Sequence, residues 1–135
     1  MAVLTDETMP LSSNEDVVLA RQAARKWAIG LGFSLVEQTK IVTAASELAR
    51  NTVIHGGGGK LTIESLNHGE RHGLRLRFED EGPGIPNIDQ ALRDGFTTGN
   101  GLGLGLGGSR RLANEFEIHS EPGKGTRVVF TRWKG

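Results

Sequence analysis

The sequence contains no cysteine. Disulfides and thiolate-ligated metal sites are therefore excluded, and nothing speaks for an oxidising compartment. No apolar run approaches the ~20 residues that a bilayer-spanning helix needs, and no signal-peptide pattern opens the chain. The expected setting is the cytoplasm, without membrane contact. Charge of one sign is also missing, since 16 Lys and Arg balance 16 Asp and Glu. Generic attraction to nucleic acid needs a basic surplus, so no nucleic-acid partner is expected. A Walker A element is absent too. The glycine-rich stretch ends GGSRR where G-K-[ST] would be required, which excludes a P-loop.

What is present fits one soluble domain spanning residues 1–135, with 36% hydrophobic and 24% charged residues. Glycine is the outlier at 20 of 135 residues, about twice the usual ~7%. Most of the excess sits in HGGGGK, DEGPGIP, GNGLGLGLGG and EPGKGT. Four separated clusters point to loops converging on a ligand rather than to one flexible linker.

The chain opens with a short strand or loose arm. Ser13 with Asp16 forms a capping box, followed by Val17, Ala20, Ala24, Trp27 or Ala28, and Leu31 at helical spacing. A second box, Ser34 with Glu37, starts a longer helix that ends at glycines 56–59, with Ile41, Ala45, Leu48 and Thr52 as its apolar stripe. Alternation then replaces the helical period. Leu61 and Ile63 share one face of a strand; Leu74, Leu76, Phe78 and Asp80 share one face of the next, with Arg75, Arg77 and Glu79 opposite. PNIDQALRDG reads as a short helix, and the leucine-glycine run leads into another at about 104–114. Two strands close the chain, carrying Phe116, Ile118 and Ser120, then Thr126, Val128 and Phe130 on one face. Such an order predicts an α+β fold: a two-layer sandwich with helices on one face of a mixed, mostly antiparallel sheet.

Asp80 stands on a face that should be buried, where an ionised carboxylate requires hydrogen bonds. It either caps the following EGPG turn or reads a ligand. Thr126, on the face of Val128 and Phe130, adds a hydroxyl suited to the polar edge of a flat heterocycle. Glu47 and Asn51 lie four apart in ELARN, ~40° around a helix and one turn, ~6 Å, along it. They are either an ordinary helix pair or a carboxylate and amide placed for a hard cation and an activated hydroxyl. His55 falls nearer the core and suits packing or capping.

GNGLGLGLGG fails as a strand, because one face would carry no side chains, and as a linker, because its leucines ask for burial. A glycine-rich loop entering a helix offers backbone N–H groups and a positive dipole end, an anion cradle. GLGLGG at 103–108 also fits G-x-G-x-x-G. Too little chain follows for a dinucleotide-binding βαβ fold, and an oxidoreductase reading rests on that run alone.

Taken in order, ELARN, DEGPGIP, GLGLGLGG and GKGT resemble the N, G1 and G2 boxes and closing glycine-threonine of the GHKL ATPases. The detail over about residues 12–133 is similar to the RsbT-type serine/threonine protein kinases, the anti-sigma-factor-kinase branch. The resemblance implies the Bergerat (histidine-kinase-like ATPase) fold binding ATP and Mg²⁺. Asp80 would accept from the adenine amino group, supported by Thr126, and Gly82 and Gly84 would let backbone approach the base. Asn51 would hold Mg²⁺ and Glu47 would polarise the attacking hydroxyl. Gly101, Gly103, Gly105 and Gly107 would bind the phosphates, with Arg110 either assisting or simply exposed. The span between G1 and G2, IDQALRDGFTT, is short for an ATP lid, and no helical hairpin for a phosphoacceptor histidine is evident. The implied substrate is a serine or threonine on a STAS-domain partner of the RsbS type in a stress-signalling complex. Released kinase would activate a PP2C-type, RsbU-like phosphatase. A nucleotide-binding switch or anti-sigma-type module with little transfer is the alternative, against which retention of Glu47 argues.

Gly103→Val or Gly105→Val is expected to weaken ATP about tenfold or more while adenosine loses less, since an added Cβ crowds a phosphate-binding backbone. Calorimetric titration of both ligands checks this, and equal losses contradict the cradle.

Overall fold

In a computed structural model, the described residues are 2–85 and 106–134. The elements run β1 (Ala2–Leu11), α1 (Asn14–Gly30), α2 (Leu35–Ile54), β2 (Gly59–His68), β3 (Arg71–Asp80), α3 (Leu106–Leu112), β4 (Glu115–Glu121) and β5 (Gly125–Trp133). The helix expected over PNIDQALRDG lies outside the described residues.

The helix starts follow local hydrogen bonding. Ser34 accepts from the Glu37 N–H at 3.2 Å and Glu37 accepts from the Ser34 N–H at 3.3 Å, a complete capping box. At α1 only half the expected box forms. Ser13 Oγ accepts from the Asp16 N–H, but the Asp16 carboxylate takes the Ser12 N–H and hydroxyl instead, at 2.8 and 3.0 Å. The Ser12 N–H, and then its hydroxyl, hold the Asp16 carboxyl below the usual carboxylate range.

The apolar stripes decide which helix faces are buried. Along α1, Val17, Ala20, Ala24 and Ala28 are buried. Ala28 thus continues the stripe, while Trp27 turns aside and donates from Nε1 to Glu7 of β1 at 2.7 Å. Along α2, Ile41, Ala45, Leu48 and Thr52 are all buried. The small alanines let both helices lie close together on one face of the sheet.

That sheet has five strands in the order β1-β2-β3-β5-β4. Every pairing among the described residues is antiparallel, so the expected mixed sheet is corrected to an antiparallel one. The opening segment is a full edge strand rather than a loose arm. Register aligns the core in rungs: Leu61, Phe78, Val128 and Ile118 form one; Ile63, Leu76, Phe130 and Phe116 form the next. These side chains meet α1 and α2 in the core, giving the expected α+β sandwich. On the opposite face Glu64 is 6% exposed, held by Arg75 at 2.8 Å and Arg77 at 3.3 Å. Two guanidinium partners satisfy a carboxylate that burial alone would disfavour. Among the described residues, no helix is long and apolar enough to cross a membrane.

Ser34→Ala is expected to cost about 1 kcal/mol of stability through loss of the cap. Urea denaturation should show a lower midpoint at unchanged slope.

Candidate nucleotide site

One further rung tops the apolar ones. Asp80 pairs across the sheet with Thr126, and Thr126 with Ser120. The alternation that buries Leu74, Leu76 and Phe78 carries Asp80 to the same face, at the end of β3 where the sheet runs out. A cleft opens there beneath α2. Its apolar walls come from Leu48, Phe78, Ile85, Leu106 and Val128; its polar groups include Asn51, Asp80 and Thr126.

Asp80 is held from two sides. Its Oδ1 accepts the Gly82 N–H at 2.9 Å and the Thr126 N–H at 3.2 Å. Among the described residues, Oδ2 accepts no hydrogen bond, leaving an acceptor at the cleft. The two readings of Asp80 are therefore compatible: one oxygen fixes the turn and the other is available. Thr126 supports Asp80 through its backbone, while its hydroxyl lies 3.0 Å from Ser120 Oγ.

Close approach explains the glycines. A Cβ on Gly56 would stand 2.4 Å from the Asp80 carboxyl, and one on Gly82 would stand 2.5 Å from the Gly56 carbonyl oxygen. Gly82 is thus constrained by the end of α2 as well as by any ligand. Gly84 has φ +80°, and a Cβ there would meet the Glu121 carbonyl oxygen at 2.6 Å. Gly56 and Ser120 are site residues that sequence reasoning passed over. Gly56 was read only as part of a helix stop, and Ser120 only as a strand residue. The alternation of Phe116, Ile118 and Ser120 carried the signal for the latter.

On α2, Asn51 is half-buried in the cleft wall. Glu47 is one turn earlier, outside that wall, with Oε1 accepting from Arg50 Nη1 at 2.9 Å. Both partners are over a third exposed, Arg50 41% and Glu47 37%. Such a pair contributes about 0–1 kcal/mol and leaves Glu47 able to turn away. His55 is the C-cap of α2, its N–H bonded to the Asn51 carbonyl at 2.9 Å, and it lines the cleft. Gly107 is buried in α3 and Arg110 is exposed there. Gly101, Gly103 and Gly105, like the IDQALRDGFTT span, lie outside the described residues.

The slot suits a planar base: apolar walls, one acceptor and one hydroxyl. Among the described residues no cluster of three or more His, Asp or Glu could hold a metal. Mg²⁺ does not need one, because it retains water and binds chiefly through phosphates with one or two protein oxygens. The Asn51 amide supplies an oxygen of that type.

Residues 30–134 match the family described as histidine kinase-, DNA gyrase B-, and HSP90-like ATPase. The chain is 46% identical to the serine/threonine-protein kinase RsbT of Bacillus subtilis (strain 168), over 87% of this chain and 89% of that one. The chain belongs to the GHKL ATPase family, in its RsbT-type kinase branch. It is 33% identical to an anti-sigma F factor of Thermoanaerobacter sp. (strain X514), covering 93% of this chain and 90% of the relative. A solved structure of the RsbU and RsbW domains of a Mycobacterium tuberculosis protein superposes with a TM-score of 0.66 at 20% identity, covering 98% of this chain and 33% of that longer one. At that identity the likeness speaks for the fold alone. Family membership makes the chain an ATP-using serine/threonine-protein kinase involved in partner switching.

Gly56→Ala is expected to displace the Asp80 carboxylate and weaken ATP about tenfold or more. Titration with a fluorescent nucleotide checks this; unchanged affinity in the folded variant would show that Asp80 is not at the base.

Proposed function

We propose that residues 1–135 act as one kinase unit that transfers phosphoryl from Mg-ATP to a serine or threonine of a STAS-domain partner of the RsbS type. The observation that carries the reading is the Asp80–Thr126 rung in the cleft lining, together with Asn51 of α2. The similarity to RsbT supports a protein substrate. It also supports the further step, in which the kinase released from its substrate complex activates a PP2C-type, RsbU-like phosphatase.

Asp80 Oδ2 accepts from the adenine amino group and Thr126 completes recognition of the same edge. Asn51 holds Mg²⁺ through its amide oxygen, and the metal, when bound, neutralises phosphate charge. Glu47 leaves Arg50, accepts the proton of the incoming hydroxyl and orients its oxygen toward the γ-phosphorus. ADP leaves from the opposite side as the new P–O bond forms. Gly101, Gly103, Gly105 and Gly107 bind the phosphates through backbone N–H groups, with Arg110 either assisting or simply exposed.

A second reading, a nucleotide-dependent switch with little transfer, draws support from the Glu47–Arg50 contact and from the similarity to anti-sigma F factors. Glu47 separates the two. Base catalysis of this kind contributes ~10²–10⁴-fold, so Glu47→Gln should lower single-turnover transfer to a STAS partner by about that factor. Mg-ATP affinity should stay within a few-fold of wild type, whereas Asn51→Ala should also weaken the metal-dependent part of binding. Full transfer in Glu47→Gln would leave the switch reading ahead.

A further inference from the structure

Arg132 is the last inward-facing residue of β5. The alternation that buries Val128 and Phe130 carries it to the core face, opposite Leu74 of β3. A guanidinium on that face needs a polar partner. Among the described residues no carboxylate pairs with it; its Nη1 donates instead to the Leu112 carbonyl at 2.8 Å, and its Nε is buried without a partner. Leu112 ends α3, and its carbonyl is one that the helix itself leaves unbonded. A cation is favoured at that end by the helix dipole as well.

Two bonds beside this one tie the same turn to the same strand. The Asn114 N–H donates to the Thr131 carbonyl at 2.9 Å, and the Trp133 N–H donates to Asn114 Oδ1 at 2.6 Å. The C-terminal end of α3 is therefore fastened to the end of β5 away from Thr126. Its first residue, Leu106, is 2% exposed and forms part of the cleft wall. A helix of seven residues spans ~10 Å and is too short to hold itself together in water. Its place depends on what grips it. Neither Arg132 nor Asn114 lines the cleft.

We infer that Arg132 and Asn114 are positioning residues for nucleotide binding: by clasping the end of α3 to β5, they set where Leu106 stands in the cleft wall. The inference rests on the reading of this cleft as the ATP site. With the clasp open, fewer molecules hold α3 seated, and apparent affinity falls in proportion to the seated fraction. Packing of α3 against α2 still favours the seated position, so the loss is partial.

The test is calorimetric titration of ATP into the full chain as wild type, Arg132→Met, Arg132→Lys and Asn114→Ala, each well below its own melting temperature. Arg132→Met should weaken ATP about three- to tenfold. Arg132→Lys keeps a cation for the Leu112 carbonyl and should recover most of that loss. Asn114→Ala should shift affinity in the same direction by a smaller factor. A role in stability alone would lower the melting temperature and leave the affinity of the folded chain as it was; that result in Arg132→Met would overturn the inference. Asn114→Ala opens the clasp without removing a charge, so unchanged affinity there overturns it even if Arg132→Met is too unstable to titrate. Intact ATP binding in Asp80→Asn would defeat the underlying reading of the cleft. Loss there, with Arg132→Met and Asn114→Ala unchanged, defeats this inference alone.

Discussion

A carboxylate on the core side of a sheet is the constraint around which the rest is arranged. Asp80 follows Phe78 on the inner face of β3, where an ionised group is tolerated only with hydrogen bonds. Backbone supplies them, from Gly82 in the following turn and from Thr126 on the neighbouring strand. Backbone donors can reach that position only if side chains keep out of the way. A Cβ on Gly59 would stand 1.8 Å from the Glu79 carbonyl oxygen, and one on Gly125 would stand 2.1 Å from that of Asp80. With Gly56 and Gly82, three of the four glycine clusters meet around a single residue. Gly56, Gly59, Gly82 and Gly125 are the imprint of this crowding.

The same arrangement separates two functions of one carboxylate. Oδ1 fixes the loop and β5 in place, while Oδ2 lies beside Gly56, and both residues line the cleft. A ligand that uses Oδ2 meets an acceptor already oriented, so little ordering is required at the moment of binding. The α2 side is organised differently. Asn51 and Glu47 sit on α2, whose buried stripe of Ile41, Ala45, Leu48 and Thr52 holds the helix on the sheet. The sheet thus brings Asp80 and Thr126, and the helix Asn51, to the walls of one cleft.

Much of this was legible in local pattern. Period-two alternation in β3 carried Asp80 to the core face, and helical spacing in ELARN put Glu47 and Asn51 on neighbouring turns. Contacts between distant segments were not legible. Nothing near Ser120 indicates that its hydroxyl would meet the Ile85 N–H 35 residues away. Nor does HGGGGK reveal that Gly56 abuts Gly82, since glycine clusters also stop helices. Ser13 caps α1 as expected, but the reciprocal half of its box does not form, for a local reason: Ser12 offers the Asp16 carboxylate both an N–H and a hydroxyl. The strand order β1-β2-β3-β5-β4 came from burial of apolar faces across the whole sheet, which no single segment encodes.

The central claim is that Asp80 Oδ2 accepts a hydrogen bond from the amino group of adenine. Competitive titration of ATP against purine riboside triphosphate, which keeps N1 but lacks the amino group, tests that bond without altering the protein. A charge-assisted bond of this kind contributes about 1.5–3 kcal/mol, so the analogue should bind about tenfold or more weakly. Equal affinities for the two nucleotides would contradict the account.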